Sequence, residues 1–172
     1  MRHEQTPFIL AIAPSPRGFA FVLFMEVDHP FDWGVKEIRG GEKNIRSLSA
    51  ISKLIEQYRP EAIIIEETQR GSRRGFRIRA LLRAIAARAK RDGIAVVRYT
   101  KSELRATFAT EHARTRPAIA KAIASRIPAF APRLPQPQKI WMSEDPRQSL
   151  FDAAALGLTH YAINRSAETV AL

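Results

Sequence analysis

The sequence has no cysteine. Disulfides and thiolate-bound metals are thereby excluded, and the composition fits a reducing, cytoplasmic setting. Long apolar runs are also missing: none approaches the roughly 20 residues of a membrane-spanning helix. The opening segment, Met1-Arg2-His3-Glu4-Gln5-Thr6-Pro7, leads into an apolar run of strand length rather than the apolar stretch of a secretory signal, so neither leader nor membrane contact is expected. Acid is scarce relative to base. Lys and Arg number 28 against 17 Asp and Glu, for a formal charge of +11 and a pI near 10.8. Between Gln69 and Arg91 there is no acidic residue. A solvated helix face normally mixes charge signs, so a stretch of one sign points to an anionic partner. The surplus is mostly arginine, 21 Arg to 7 Lys. The planar guanidinium fork matches phosphate oxygens, which favours nucleic acid over a membrane surface.

What is present reads as one α/β domain over residues 1–172, long enough to bury a sizeable core. Phe8 to Ala13 is a near-continuous apolar run, read as a central strand. Pro14-Ser15-Pro16-Arg17-Gly18 breaks it as a turn. Phe19 to Met25 returns antiparallel. Phe31 to Ile38 alternates apolar and polar, as an outer strand with one wet face does. Gly40-Gly41 then switches the period. Ile45, Leu48, Ile51, Ile55 and Tyr58 predict an amphipathic helix over Glu42 to Arg59, stopped by Pro60. A buried strand, a helix over Phe76 to Asp92 closed by Gly93, and a strand over Ile94 to Tyr99 follow. Helices are expected over Lys101 to Phe108 and over Arg116 to Ile127, the second capped by Thr115. Pro128 to Lys139 contains Pro128, Pro132, Pro135 and Pro137 and predicts a stiff extended connector. Asp145-Pro146 reads as the cap and first turn of a last helix that ends near Asn164.

The stretch Ala62-Ile63-Ile64-Ile65-Glu66-Glu67 focuses the chemistry. A β-branched run buried on both faces ends in carboxylates at the rim of the sheet, where α/β proteins place their sites. It opens into the cationic loop Thr68 to Gly75. Arg70, Arg73, Arg74 and Arg77 are the candidate phosphate contacts, of the kind that hold backbone rather than read bases. Glu67 follows Glu66 in the strand and should face the other way. Trp33, Trp141 and Phe76 are available for stacking on bases, but core packing is the simpler reading of each. His160 reads as a packing or surface residue.

The order of these elements resembles the ribonuclease H-like fold, a five-stranded mixed sheet made of a three-stranded antiparallel meander and two parallel strands, flanked by helices. Within it the chain resembles the RuvC-type Holliday junction resolvases over roughly residues 8 to 163. Ile9-Leu10-Ala11-Ile12-Ala13-Pro14-Ser15 is similar to that family's first strand, I-L-G-I-D-P-G. Ile64-Ile65-Glu66 is similar to its fourth strand, and Asp152-Ala153-Ala154-Ala155-Leu156-Gly157-Leu158-Thr159-His160 to its terminal D-A-L-A-I-A-x-x-H helix.

The resemblance implies a metal-dependent endonuclease that nicks branched DNA as a two-fold homodimer. Catalysis would use two Mg2+ or Mn2+ ions about 3.5–4 Å apart. Glu66 and Asp152 stand at matching catalytic and metal positions, and Arg116 stands where the family has a basic residue near the site. Glu67, Glu144 and Asp145 are possible substitute ligands; Asp145 lies two turns before Asp152 on the same helix face. The departures are equally specific. Ala13 replaces the family's first Asp, the expected bridging ligand, and Ser149 replaces another. Thr68 and Gln69 stand where the family has an aromatic. The loss at Ala13 implies impaired catalysis. Two readings therefore stand side by side: a resolvase-type nuclease, and a non-catalytic module that binds DNA or RNA on the same fold.

Overall fold

The computed structural model describes residues 7–68 and 75–171. Strands β1 (Ile9–Ser15), β2 (Gly18–Glu26) and β3 (His29–Glu37) form the meander. Then come α1 (Lys43–Tyr58), β4 (Ala62–Glu66), α2 (Phe76–Arg91) and β5 (Ala95–Tyr99). The chain finishes with α3 (Lys101–Ala109), α4 (Arg116–Arg126), a 3-10 turn over Pro128–Arg133 and α5 (Gln148–Val170). The five strands lie in the order β3-β2-β1-β4-β5. The first three are mutually antiparallel, and β1, β4 and β5 run parallel. This is the mixed, helix-flanked sheet that the resemblance in element order implies.

Side chains alternate across a strand, so each strand contributes to two cores. Leu10 and Ile12 of β1, Phe19, Phe21 and Leu23 of β2 and Ile63 and Ile65 of β4 pack on Ile51, Ile55, Leu81, Leu82 and Ile85 of α1 and α2. The residues between them, Ile9, Ala11, Ala13, Ala20, Val22, Phe24 and Ile64, pack on α3, α4 and α5. Both faces of β1 and β4 are covered, which is why these strands read as continuous apolar runs. At the sheet edge, β3 is only partly buried.

The second core is thin where α5 crosses β2. Ala153, Ala154, Ala155 and Gly157 let the helix lie close to the sheet, and a Cβ at Gly157 would sit 2.2 Å from Phe24 Cε2.

Three local expectations are corrected. The proline-rich connector is not extended throughout, because its first six residues wind into the 3-10 turn. The cause is Phe130, which is fully buried with its ring 5.2 Å from Trp33 and 6.0 Å from Phe151. Burying one Phe stabilises by roughly 1.5–3 kcal/mol, enough to coil a short segment around it. Asp145 does not cap α5 through its side chain: Asp145 Oδ1 accepts from Arg147 N–H at 2.9 Å, and α5 begins at Gln148. The last helix also continues past Asn164 to Val170 on an exposed final turn.

Gly157→Ala is expected to lower stability by about 1–3 kcal/mol through overpacking against Phe24, and Phe24→Leu in the same chain should recover part of the loss. Urea denaturation of the three variants checks this; an unchanged midpoint for Gly157→Ala would show that α5 can lift off the sheet without cost.

Candidate nucleic-acid interface

Strand parity builds the site. Ile9, Ala11 and Ala13 share one face of β1, and Ala62, Ile64 and Glu66 share the same face of β4, the face that α5 crosses. Ala11 pairs with Ile64, and carrying that register two residues on sets Ala13 level with Glu66. On α5, Ser149, Asp152 and Leu156 fall at spacings of three and four and look toward these strand ends. All five residues line one cleft of about 640 Å³.

Four cations are among the other lining residues. Lys101 and Arg105 come from α3, and Arg114, Thr115 and Arg116 come from the start of α4. Two helix N-termini therefore meet the cleft, each well formed. Thr100 and Glu103 make a reciprocal capping box on α3, and Thr115 Oγ1 accepts from Ala118 N–H at the head of α4. Their partial positive charge adds to that of the side chains. Glu144 completes the lining, so four cations face three carboxylates, Glu66, Glu144 and Asp152.

Those carboxylates are engaged. Arg116 grips Asp152 with both arms of its fork, Nη2 to Oδ2 at 2.5 Å and Nε to Oδ1 at 3.2 Å. The same Nη2 donates to Glu144 Oε1 at 2.7 Å. Gln148 Nε2 donates to Asp152 Oδ1 at 3.2 Å. Lys101 Nζ lies 3.9 Å from Glu66 Oε1. Burial alone would pull the Arg116 pKa down; the hydrogen bonds and charges of Asp152 and Glu144 outweigh it and hold the guanidinium above its ordinary value. Arg116 is thus a permanent cation within the cleft.

The other sequence candidates fall in distinct places. Asp145 is not among the residues lining the cleft. Its carboxylate is held by the Arg147 guanidinium at 2.6 Å, and that hydrogen bond keeps its pKa below the ordinary value. Arg77 is turned inward. It donates to Ser15 O at 2.7 Å and to Asn44 Oδ1 at 3.0 Å, tying the end of β1 to α1 and α2. Arg70, Arg73 and Arg74 lie outside the described residues. Glu67 is exposed, and its backbone N–H continues the pairing with β5 through Tyr99 O. Trp33 packs on Phe130, but Phe76 and Trp141 are 73% and 79% exposed, against the core-packing expectation for both. Lys101, Arg105 and Arg114 are cleft residues that sequence pattern does not pick out. Their only signal is position: Lys101 opens α3, Arg105 lies one turn further along it, and Arg114 precedes α4.

The donor set does not fit a two-ion centre. Ala13 has no oxygen to bridge with. Ser149, at the second substituted position, turns its hydroxyl away and donates to Pro146 O at 2.7 Å. Asp152 is already neutralised by Arg116. Among the described residues no group of three or more His, Cys, Asp or Glu converges to hold a metal ion.

No protein-family model and no curated protein sequence matches the chain. Solved structures do. A Thermus thermophilus RuvC structure superimposes with a TM-score of 0.67 at 17% identity, over 93% of this chain and 96% of that one. A structure of T. thermophilus RuvC in complex with Holliday junction substrate gives 0.63 at 18% identity, over 92% and 96% of the two chains. The fold is therefore that of RuvC, as the order of elements implied. Among the described residues no helix is long and apolar enough to cross a membrane.

Behind the cleft, His160 is half-buried between Tyr99 Oη at 2.9 Å and Asn164 Nδ2 at 3.1 Å, and burial pulls its pKa below 6.5. It does not line the cleft. A histidine with a depressed folded pKa protonates first in the unfolded chain. Its contribution is therefore intact above 6.5 and is lost as pH falls through the folded pKa. Stability measured by denaturation should decline as pH drops below 6.5 more steeply in the native chain than in His160→Gln. Equal slopes would show that the ring is solvated in both protonation states.

Proposed function

We propose that this chain binds branched DNA in the cleft between β1, β4 and α5, and that it holds backbone phosphate there without hydrolysing it. The observation that carries the proposal is the Arg116 clamp on Asp152, set on the face where Ala13 leaves no bridging carboxylate. In that arrangement the carboxylates are balanced from within, and the net field of the cleft is positive. Phosphate oxygens gain charge-assisted hydrogen bonds from Arg105, Arg114 and Lys101, and the N-termini of α3 and α4 add backbone dipoles of the same sign. Such contacts position a duplex and carry no base information.

The overall charge of +11 supports the same partner. So does α2, where Arg79, Arg83, Lys90 and Arg91 make no ion pair with any described residue. The choice of branched DNA rests on the shared fold with RuvC, whose solved complex holds a Holliday junction substrate. A four-way junction has two-fold symmetry, and the proposal includes two chains per junction. Magnesium and manganese have no role in binding under this reading.

A labelled four-way junction is expected to bind equally well in EDTA and in magnesium or manganese, and to remain uncut. Removing Lys101, Arg105 and Arg114 together should weaken binding and lower the salt slope by about 1 for each phosphate that is no longer neutralised. Fluorescence anisotropy across a salt series measures both quantities. Sedimentation of the complex should give two chains per junction. Metal-dependent nicking by the chain as it stands overturns the non-hydrolytic reading; nicking by Ala13→Asp alone supports it, by locating the defect at position 13. Preference for duplex RNA over the junction overturns the assignment to DNA.

A further inference from the structure

The loop that leads into α5 carries three consecutive apolar side chains in water. Ile140 is 103% exposed, Trp141 79% and Met142 52%. A turn closed by Met142 N–H to Lys139 O at 3.0 Å places Ile140 and Trp141 at its tip. Lys139 Nζ lies 5.1 Å from the centre of the Trp141 ring, a cation over one face of the indole. The base of the turn belongs to the cleft, because Glu144, three residues after Trp141, lines it and accepts from Arg116. At about 3.5 Å of chain per residue, Trp141 is within roughly 11 Å of the Glu144 backbone, on the order of three base steps along a strand.

An indole left in water beside a positively charged cleft suits one occupant well. A nucleobase offers a flat apolar face to the ring while its phosphates meet the surrounding cations. Lys139 covers one face of the indole, so the base takes the other, and the same ammonium lies within reach of the adjoining phosphate. Bases inside a duplex are stacked on both sides and have no free face. The turn therefore selects for bases whose stack is interrupted, as at an open branch point or in a single-stranded arm.

We propose that the Lys139–Trp141 turn is a stacking platform for an unstacked base of the DNA held in the cleft. The proposal rests on the DNA-binding reading above and adds the element that separates branched from fully paired DNA.

The test compares the native chain with Trp141→Ala and Trp141→Phe. Each is titrated by anisotropy against a four-way junction and against a paired duplex of the same length. Trp141→Ala is expected to bind the junction roughly 5- to 100-fold more weakly. Its duplex affinity and salt slope should be unchanged, and Trp141→Phe should retain most of the junction affinity. A Trp33→Phe background leaves Trp141 as the sole indole, and junction binding should shield its fluorescence from iodide and acrylamide. Equal junction affinity of the native chain and Trp141→Ala overturns the platform while leaving the DNA-binding reading intact. A native chain that binds neither DNA removes both. A concentration-dependent change in Trp141 fluorescence without DNA, together with self-association in sedimentation, identifies the tip as an interface between copies and overturns the platform.

Discussion

Two adjacent strands buried on both faces constrain everything else in this molecule. Along β1 and β4 no polar side chain can be accommodated until the strand reaches the end of the sheet, since a carboxylate amid the core would go unsolvated. The first place where polarity returns is the C-terminal rim, at Ser15 on β1 and Glu66 on β4. Helix α5 must then cover the same face with small side chains, and the one carboxylate in its buried first half, Asp152, emerges over that rim. The cleft is a geometric consequence of how the core closes rather than an addition to it.

Within the cleft, electrostatic balance decides the chemistry. Carboxylates that converge without a cation repel one another and call for metal ions or protons. Here the opposite arrangement holds, since Arg116 bridges two of them and Lys101 approaches the third. The Arg116 and Lys101 side chains are each more than half exposed, so these ion pairs add little to folding. Their effect is on the local field of the cleft.

Much of the architecture was legible because it depends on local pattern. The alternation in Phe31 to Ile38 identified an edge strand, and the spacing of Ile45 to Tyr58 identified α1 to within a residue at either end. The shared face of Ala13 and Glu66 follows from counting in twos. The Arg116 network was hidden, because it joins positions 28 and 36 residues apart and exists only once α4 and α5 have packed. Phe130 was hidden for a related reason: proline content dominates the reading of Pro128 to Lys139, and one aromatic overrides it through tertiary burial. Residue type likewise suggested core positions for Phe76 and Trp141, and only the packed chain shows that no core reaches them. Arg77 carries the converse lesson, a cation in a basic run whose donors are used inside the fold.

The segment between the 3-10 turn and α5 is fixed at both ends, by Phe130 in the core and by Glu144 on Arg116. A chain closed between two fixed points loses entropy only logarithmically with its length, about 0.6 kcal/mol for each doubling. Insertions or deletions between the anchors therefore leave the domain nearly as stable as before while changing how far the tip extends. Reach becomes a property that can drift between lineages independently of the fold, with Pro135 and Pro137 as the stiffeners that turn added length into added distance.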